Sequence, residues 1–260
     1  MGAKLSPYER RRLLYDRVRE VGKLEIGTLA EEFRVSEMTI RRDVKEMESA
    51  NMLRLDHGQV LARDMGIWEL PVSSRLRVNT EEKRLIARAA VELLRPRMTV
   101  GLDGSTTCMY VAKAIEDTEE LTVVTNNISL AAVVAPRSPA DLIVIGGTAR
   151  KDSLSMLGEL AEQMIRQLNL DIFFMSGLGV HWEKGVTENH LLEVRVKQCF
   201  IASAKRVVVV ADHTKMGQVA LTTSCPVSRI STVVTDAGAD PEALKSLSSV
   251  GIEIVVAGTD

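Results

Sequence analysis

Apolar residues in the first quarter of the chain recur at helical spacing. Leu13, Leu14, Val18 and Val21 fall three to four apart and predict an amphipathic helix. Ser6 is placed to cap it, Pro7 suits the first helical position, and Glu9 completes a capping box. Gly22 ends the pattern. "TLAEEF" predicts a second, shorter helix with Leu29, Ala30 and Phe33 inward. After a tight Arg34-Val35-Ser36 connection comes a third helix, capped by Ser36, with Met38, Ile40, Val44 and Met47 on its buried side. The period then changes to two. Leu53 and Leu55 alternate, Asp56–Gln59 turn, and Val60 and Leu61 return as a hairpin. Three helices and a hairpin predict a winged helix-turn-helix over residues 1–63.

The stretch 64–78 mixes Gly, Pro, Ser and isolated apolar residues and reads as a linker, with Trp68 and Leu70 as docking anchors. From Thr80 a helix resumes, with Leu85, Ile86, Ala89, Ala90 and Leu93 on one side. Residues 79–260 then alternate helical patterns with seven apolar, β-rich runs: "MTVGLD", "LTVVTN", "DLIVIGG", "DIFFMSG", "RVVVVAD", "STVVTD" and "GIEIVVAG". Continuous Val/Ile runs, clearest at Leu142–Ile145 and Val207–Val210, imply strands buried on both faces. That pattern predicts a doubly wound, mostly parallel α/β domain.

The chemistry sits in two places. On the third predicted helix, Ser36, Glu37, Thr39, Arg41 and Arg42 lie near the N-terminus, where a recognition helix meets base edges and phosphates. Arg54 and His57 on the wing are placed to touch the neighbouring backbone. The ordinary alternative is that Arg41 and Arg42 pair with Asp43 or Glu46 on a solvated face. In the larger domain, small polar residues collect at strand ends: Asp103-Gly104-Ser105-Thr106-Thr107, Thr125-Asn126-Asn127, Gly146-Gly147, Ser176-Gly177, and Asp212 with Lys215. Ligands of open α/β sheets bind beyond the carboxyl ends of the strands. Ser105–Thr107 would hold an anion through hydroxyls and helix N–H groups, with Lys215 adding charge. Asp103, Asn126, Asp212 and Glu193 would bind sugar hydroxyls. The ordinary alternative for Glu193 is a salt bridge with Lys197, four residues on.

Composition narrows this little. The chain has 260 residues and a net charge of −2, but residues 1–63 hold 13 Lys/Arg against 11 Asp/Glu, whereas the remainder holds 20 against 24. That asymmetry permits nucleic-acid binding by the first part. Cys108, Cys199 and Cys225 are far apart, and neither they nor the four histidines show metal-ligand spacing. No metal or cofactor is expected. The charged start and the absence of a long apolar run point to a cytoplasmic protein.

"LAEEFRVSEMTIRRDVKEMESANMLRLDHG", Leu29 to Gly58, resembles the DeoR family of bacterial transcriptional repressors. "VS" at 35–36 and "TIRRD" at 39–43 stand at that family's spacing, although Val44 replaces its usual Leu and Gln59 its second wing Gly. The resemblance extends through "LDGSTT", "VVTNN", "GG" at 146–147, "GLGV", "GVT" and "ADHTK". It implies a sensor domain similar in fold to ribose-5-phosphate isomerase and the coenzyme A transferases, binding a phosphorylated sugar or sugar-derived effector. It implies Ser105, Thr106 and Thr107 as the phosphate loop, with Asp103, Asn126, Glu193, Lys197, Asp212 and Lys215 around it. It further implies a repressor of a carbohydrate catabolic operon, relieved by ligand, acting on double-stranded operator DNA as a dimer or tetramer. "DHTK" departs from the family's commoner aspartate-serine-serine-lysine, so His213 alters the expected ligand surface. Two readings stay open on sequence alone: a sugar-phosphate isomerase-like enzyme with an appended DNA-binding head, and a constitutive DNA-binding protein whose large domain only oligomerises.

Overall fold

The structure is a computed structural model and describes residues 7–49, 53–62, 72–115 and 120–258. The chain divides into two compact units, Met1–Trp68 and Glu69–Asp260. The Ser6 cap, the Glu9 side chain and the Trp68 and Leu70 anchors lie outside the described residues and side chains.

The first unit runs α1 (Pro7–Val21), β1 (Lys23–Glu25), α2 (Ile26–Glu32), α3 (Glu37–Ser49), β2 (Leu53–Asp56) and β3 (Gln59–Ala62). Its core is Leu14, Val18, Leu29, Ile40, Val44, Met47, Leu53 and Val60, all nearly closed to solvent. Leu13, Val21 and Met38, expected inside, are instead exposed. On α3 the inward residues are Ile40, Asp43, Val44 and Met47. Met38 stands two positions, about 200° around the helix, from Ile40 and so faces water. The turn between α2 and α3 closes as a Schellman motif. The N–H of Val35 donates to the Ala30 carbonyl at 3.0 Å and that of Arg34 to the Glu31 carbonyl at 3.1 Å, with Arg34 left-handed at φ 52°. The wing turns on two residues, His57 (φ 46°) and Gly58 (φ 84°), as a tight hairpin of right-twisted strands requires. Gln59 already belongs to β3, so no second glycine is needed. Strand β1, which the pattern did not predict, pairs antiparallel with β3 and completes a three-stranded sheet.

The second unit begins with α4 (Val72–Arg75) and α5 (Thr80–Val91), then alternates β4 (Thr99–Leu102), α6 (Thr106–Ala114), β5 (Thr122–Thr125), α7 (Ile128–Val134) and β6 (Asp141–Val144). A small hairpin, β7 (Thr148–Ala149) and β8 (Met156–Leu157), leads to α8 (Glu159–Arg166) and β9 (Leu170–Met175). After β10 (Gly179–His181) and β11 (Gly185–Glu188) come α9 (Leu191–Ser203) and β12 (Ala204–Val210). Strand β13 (Thr222–Cys225), β14 (Thr232–Asp236), α10 (Pro241–Ser249) and β15 (Glu253–Ala257) finish the unit. The seven predicted runs are the seven strands of one parallel sheet, ordered β15-β14-β12-β9-β4-β5-β6. Helices α5, α6 and α7 cover one face; α8, α9 and α10 cover the other.

Two expectations change. On α5 the inward residues are Lys83, Ile86, Ala87 and Ala90, while Leu85 is exposed. Strand β6, expected to be buried on both faces, is an edge of the sheet, with Ile143 36% and Val144 43% exposed. An apolar run reports a wish for burial; which strand becomes an edge depends on the winding of the whole chain. The five short strands β7, β8, β10, β11 and β13 carry too little periodicity to predict.

The winding has one functional consequence. The chain enters the sheet at β4, builds outward through β5 and β6, then returns to the other side of β4 with β9. The order therefore reverses between β4 and β9, and that switch point opens a crevice at the carboxyl ends of both strands. Gly101 in β4 faces the core there: a Cβ would lie 2.8 Å from Leu170 Cδ1 and 2.9 Å from Phe173 Cδ2. Phe173 in turn stacks on Phe200, with ring centroids 4.8 Å apart. Gly101→Val should overpack this layer and destabilise the protein by about 1–3 kcal/mol in urea unfolding. An unchanged midpoint would contradict the packing described.

Candidate functional site

On α3 the acids that were the ordinary partners for Arg41 and Arg42 are taken by α1. Asp43 is 1% exposed and accepts from Arg10 Nε at 2.6 Å and Arg11 Nε at 2.9 Å. Arg11 also pairs with Glu46. Arg41 is left with Glu37 at 3.7 Å, both groups about half exposed, and Arg42 has no ion pair among the described residues. Ser36 caps the helix, accepting from the Thr39 N–H at 3.3 Å and sharing a hydroxyl bond with Thr39 at 2.9 Å. Met38, Arg41, Arg42 and Lys45 form an exposed face opposite the core. Sequence reasoning missed Met38 and Lys45 there; the spacing of 38, 41, 42 and 45 at i, i+3, i+4 and i+7 was the available signal. On the wing, Arg54 is exposed and bonded to Asp56 at 2.6 Å, and the His57 side chain at the tip is 99% exposed.

In the larger unit the crevice at the switch point is built around Asp103, which is 1% exposed. One carboxylate oxygen accepts from the Ser105 N–H at 2.8 Å; the other accepts from the Ser176 N–H at 3.0 Å and meets Lys197 Nζ at 3.0 Å. Lys197 also donates to the Ser176 carbonyl at 2.6 Å and pairs with Glu188. Burial alone would raise the Asp103 pKa, but Lys197 and the Ser105 and Ser176 hydrogen bonds hold it below the usual carboxylate range. Burial alone would lower that of Lys197; Asp103 and Glu188 drive it upward instead. Asp103 and Lys197, expected as effector contacts, therefore have their polar atoms engaged in tying loops together. The fully buried Thr125 is similar, its hydroxyl accepting from the Asn127 N–H at 3.2 Å.

The Ser105 hydroxyl accepts from the Cys108 N–H at 3.2 Å and so caps α6. Thr106 and Thr107 follow, nearly closed to solvent. Among the described residues, the N–H groups of Gly104, Thr106 and Thr107 make no hydrogen bond. A Cβ on Gly104 would lie 2.5 Å from Ser155 Oγ and 2.8 Å from Asn127 Nδ2, so only glycine lets these loops approach. Asn127 caps α7 and bonds the Ser153 carbonyl at 2.8 Å; Asn126 is buried and donates to the Met156 carbonyl at 3.0 Å. Glu193 does not pair with Lys197. It accepts from Arg150 at 2.9 Å and from the Ser153 hydroxyl at 3.0 Å. Gly146 and Gly147 lie beyond the edge strand β6. Gly147 (φ 145°) passes so close to the hairpin that a Cβ would lie 2.7 Å from the Leu157 carbonyl oxygen, which gives Gly147 a packing role.

One strand beyond β9, the end of β12 carries a second cluster. Asp212 is 3% exposed and accepts from the Thr214 N–H at 3.0 Å and from its hydroxyl. Burial would raise its pKa; Thr214, Lys215 and Lys83 hold it low. His213 is bound twice by Asp236, through its N–H and through Nδ1, each at 2.8 Å. With Nδ1 turned to that carboxylate, Nε2 is the ring atom left to a ligand. Lys83, which sequence reasoning missed, sits within electrostatic reach of Asp212 and Lys215, and burial lowers its pKa to about 8.

Residues 10–64 match the DeoR-like helix-turn-helix domain, and residues 78–237 match the DeoR C terminal sensor domain. The chain belongs to the DeoR family. This DeoR-family protein is 30% identical to the transcriptional repressor AccR of Agrobacterium fabrum over 234 residues, 90% of this chain and 91% of that one. It is 31% identical to the glycerol-3-phosphate regulon repressor of Escherichia coli K12 over 220 residues, 85% of this chain and 87% of that one. Among solved structures it aligns with a D-ribose-5-phosphate isomerase at 12% identity and a TM-score of 0.40, over 52% of this chain and 53% of that one. The family and these sequence relatives are regulators, not enzymes, which sets aside the isomerase-like reading. No described helix is long and apolar enough to cross a membrane.

The Asp103–Lys197–Glu188 group makes a sharp prediction for this DeoR-family protein. Lys197→Met leaves two buried carboxylates without their cation and should cost about 3–5 kcal/mol in urea unfolding. A loss below about 1 kcal/mol would mean that the group is solvated.

Proposed function

We propose that this DeoR-family regulator controls a carbohydrate operon and that a phosphorylated sugar, or a related phosphorylated polyol, sets its operator affinity. The observation that carries the reading is the set of unbonded N–H groups at Gly104, Thr106 and Thr107. They stand at the N-terminus of α6, just beyond β4, the strand that borders the switch point. A helix N-terminus with open donors favours an anion, and the dipole adds to it. Lys215 supplies positive charge at the end of β12, two strands along the sheet. Asp212, Asn126, Glu193 and His213 Nε2 are the groups available to sugar hydroxyls. The relative named for glycerol-3-phosphate supports the class of effector.

DNA is read by the exposed face of α3. Arg42, with no acid holding it among the described residues, and Arg41, held only loosely by Glu37, reach base edges or phosphates. Met38 offers an apolar contact for a thymine methyl, and Lys45 a phosphate contact. Ser36, Glu37 and Thr39 stand at the helix start, while Arg54 and His57 bring the wing to the backbone. A dimer of such heads would place its recognition helices about 34 Å apart, or a multiple, along the duplex. The working state is a homo-oligomer in the cytoplasm.

Two measurements test this. Arg42→Ala should weaken binding to a duplex selected from random sequence by about 1–3 kcal/mol, read by fluorescence anisotropy at fixed salt. Unchanged affinity would remove Arg42 from the interface. A thermal-shift screen of the full chain against sugars and their phosphates should give shifts confined to phosphorylated compounds. At a hundred times the dissociation constant the stabilisation is about 2.7 kcal/mol. Ser105→Ala combined with Thr106→Ala should abolish the shift and spare DNA binding. No shift across the panel would leave Ser105 a helix cap and favour a constitutive DNA-binding protein.

A further inference from the structure

Strand β6 ends the seven-stranded sheet with one side unpaired. The Asp141 N–H donates to the Leu121 carbonyl, and the Ile145 N–H, just past the strand, to the Thr125 carbonyl, each at 2.9 Å. Alternate residues of a parallel strand turn their backbone groups the same way, so Leu142 and Val144 present theirs to the open edge. No described strand lies beyond them to take those groups. Ile143 and Val144, on opposite faces of the strand, are both exposed, although Ile145 next to them is fully buried against α8. Helix α8 continues the apolar surface. A Cβ on Gly146, the second residue past β6, would lie 3.7 Å from Met164 Sδ, which places Met164 beside the strand. Met164 is 41% exposed, and Leu160, one turn earlier on the same side of α8, is 69% exposed. An edge strand that stays free in solution is ordinarily guarded by lysine, proline or a bulge. Strand β6 carries only Asp141, at its first position, and its ladder with β5 is regular.

We propose that this face, β6 with Leu160 and Met164 of α8, docks on the same face of a second copy of this chain, the two β6 strands pairing antiparallel across a two-fold axis. The proposal rests on the homo-oligomer of the preceding section and names the surface that makes it. A second copy is the occupant because the edge is complementary to itself. With the axis at Ile143, Leu142 lies opposite the partner's Val144, and the outward N–H and carbonyl groups of the two strands form roughly four hydrogen bonds. Ile143 meets the partner's Ile143 between those bonds, where opposed side chains come closest. Charge selects the same register. Asp141 then lies opposite the partner's Ile145, whereas an axis at Asp141 would set two carboxylates face to face. Area calls for the helix as well. A four-residue strand is too short to bury the roughly 800 Å² per partner of a stable interface. The axis stands perpendicular to the sheet, so it brings both α8 helices to one face, where Leu160 and Met164 add apolar surface beside Ile143.

The test uses the full chain. By sedimentation it should be an even-numbered oligomer, and Val144→Lys combined with Leu160→Glu, both at exposed positions, should halve its mass. A second measurement reads the register. The native Cys108, Cys199 and Cys225 are buried. Ile143→Cys puts two thiols across the axis with Cα atoms about 4.5 Å apart, within disulfide reach. Mild oxidation should turn most of that variant into a covalent dimer on a non-reducing gel. Asp141→Cys, roughly 14 Å from its copy at about 3.4 Å per residue, should give several-fold less. A monomeric wild type overturns both the homo-oligomer and this face, and leaves the edge to a different occupant. An oligomer whose mass the double variant leaves unchanged overturns the face alone. Equal cross-linking of the two cysteine variants, or none in either, also overturns the face alone. If one variant fails to fold, the other measurement decides.

Discussion

The buried Asp103–Lys197–Glu188 group is the constraint on which the crevice depends. Three ionised side chains are removed from water where the strand order reverses, and their mutual pairing, two backbone N–H groups and the Ser176 carbonyl compensate. A buried ion pair of this kind adds little net stability over apolar side chains of the same volume. What it provides here is geometry. Asp103 grips the loop after β4 and the loop after β9 at once, and Lys197 brings in α9 and the end of β11. The open donors of Gly104, Thr106 and Thr107 are therefore presented by a braced loop.

The DNA-binding unit uses a related device to the opposite end. Asp43 lies buried on α3 and joins two arginines of α1, and Glu46 is drawn to the second of them. Those contacts fasten α3 to α1. They also engage Asp43 and Glu46, two of the acids beside Arg41 and Arg42, and leave Glu37 as the acid that meets Arg41. In one unit buried charge pairing braces a loop that carries open N–H donors. In the other it draws acids towards α1 and away from two exposed arginines.

Each candidate residue has its role decided by what surrounds it more than by its type. Glu193 and Lys197 stand four apart on α9 and would pair on an isolated helix. Instead Lys197 turns to Asp103 and Glu188, while Glu193 turns to Arg150 and Ser153. Asn126 and Asn127 are neighbours with different duties, one stitching the β8 strand, the other capping α7. His213, where the family more often has serine, is oriented by Asp236 from the next strand.

Local periodicity determined much of this protein. The seven apolar runs, the three helices and hairpin of the first unit, and the small polar loops at strand ends were all legible. Each depends on residues within a turn or a strand of one another. Motif residues and their spacing likewise carried the family resemblance. Tertiary structure alone decided that Leu142–Val144 is an edge, that Met38 and Leu85 face water, and that β4 and β9 border the crevice. It alone paired Asp103 with Lys197 and laid Lys83 across the Arg75–Val78 carbonyls. The physical reason is the same in each case. A helix or strand states which side chains seek burial, whereas the order of winding decides which partners, 70 or 130 residues away, arrive to provide it, about as far as Ser176 and Asp212 lie from Asp103 and Lys83.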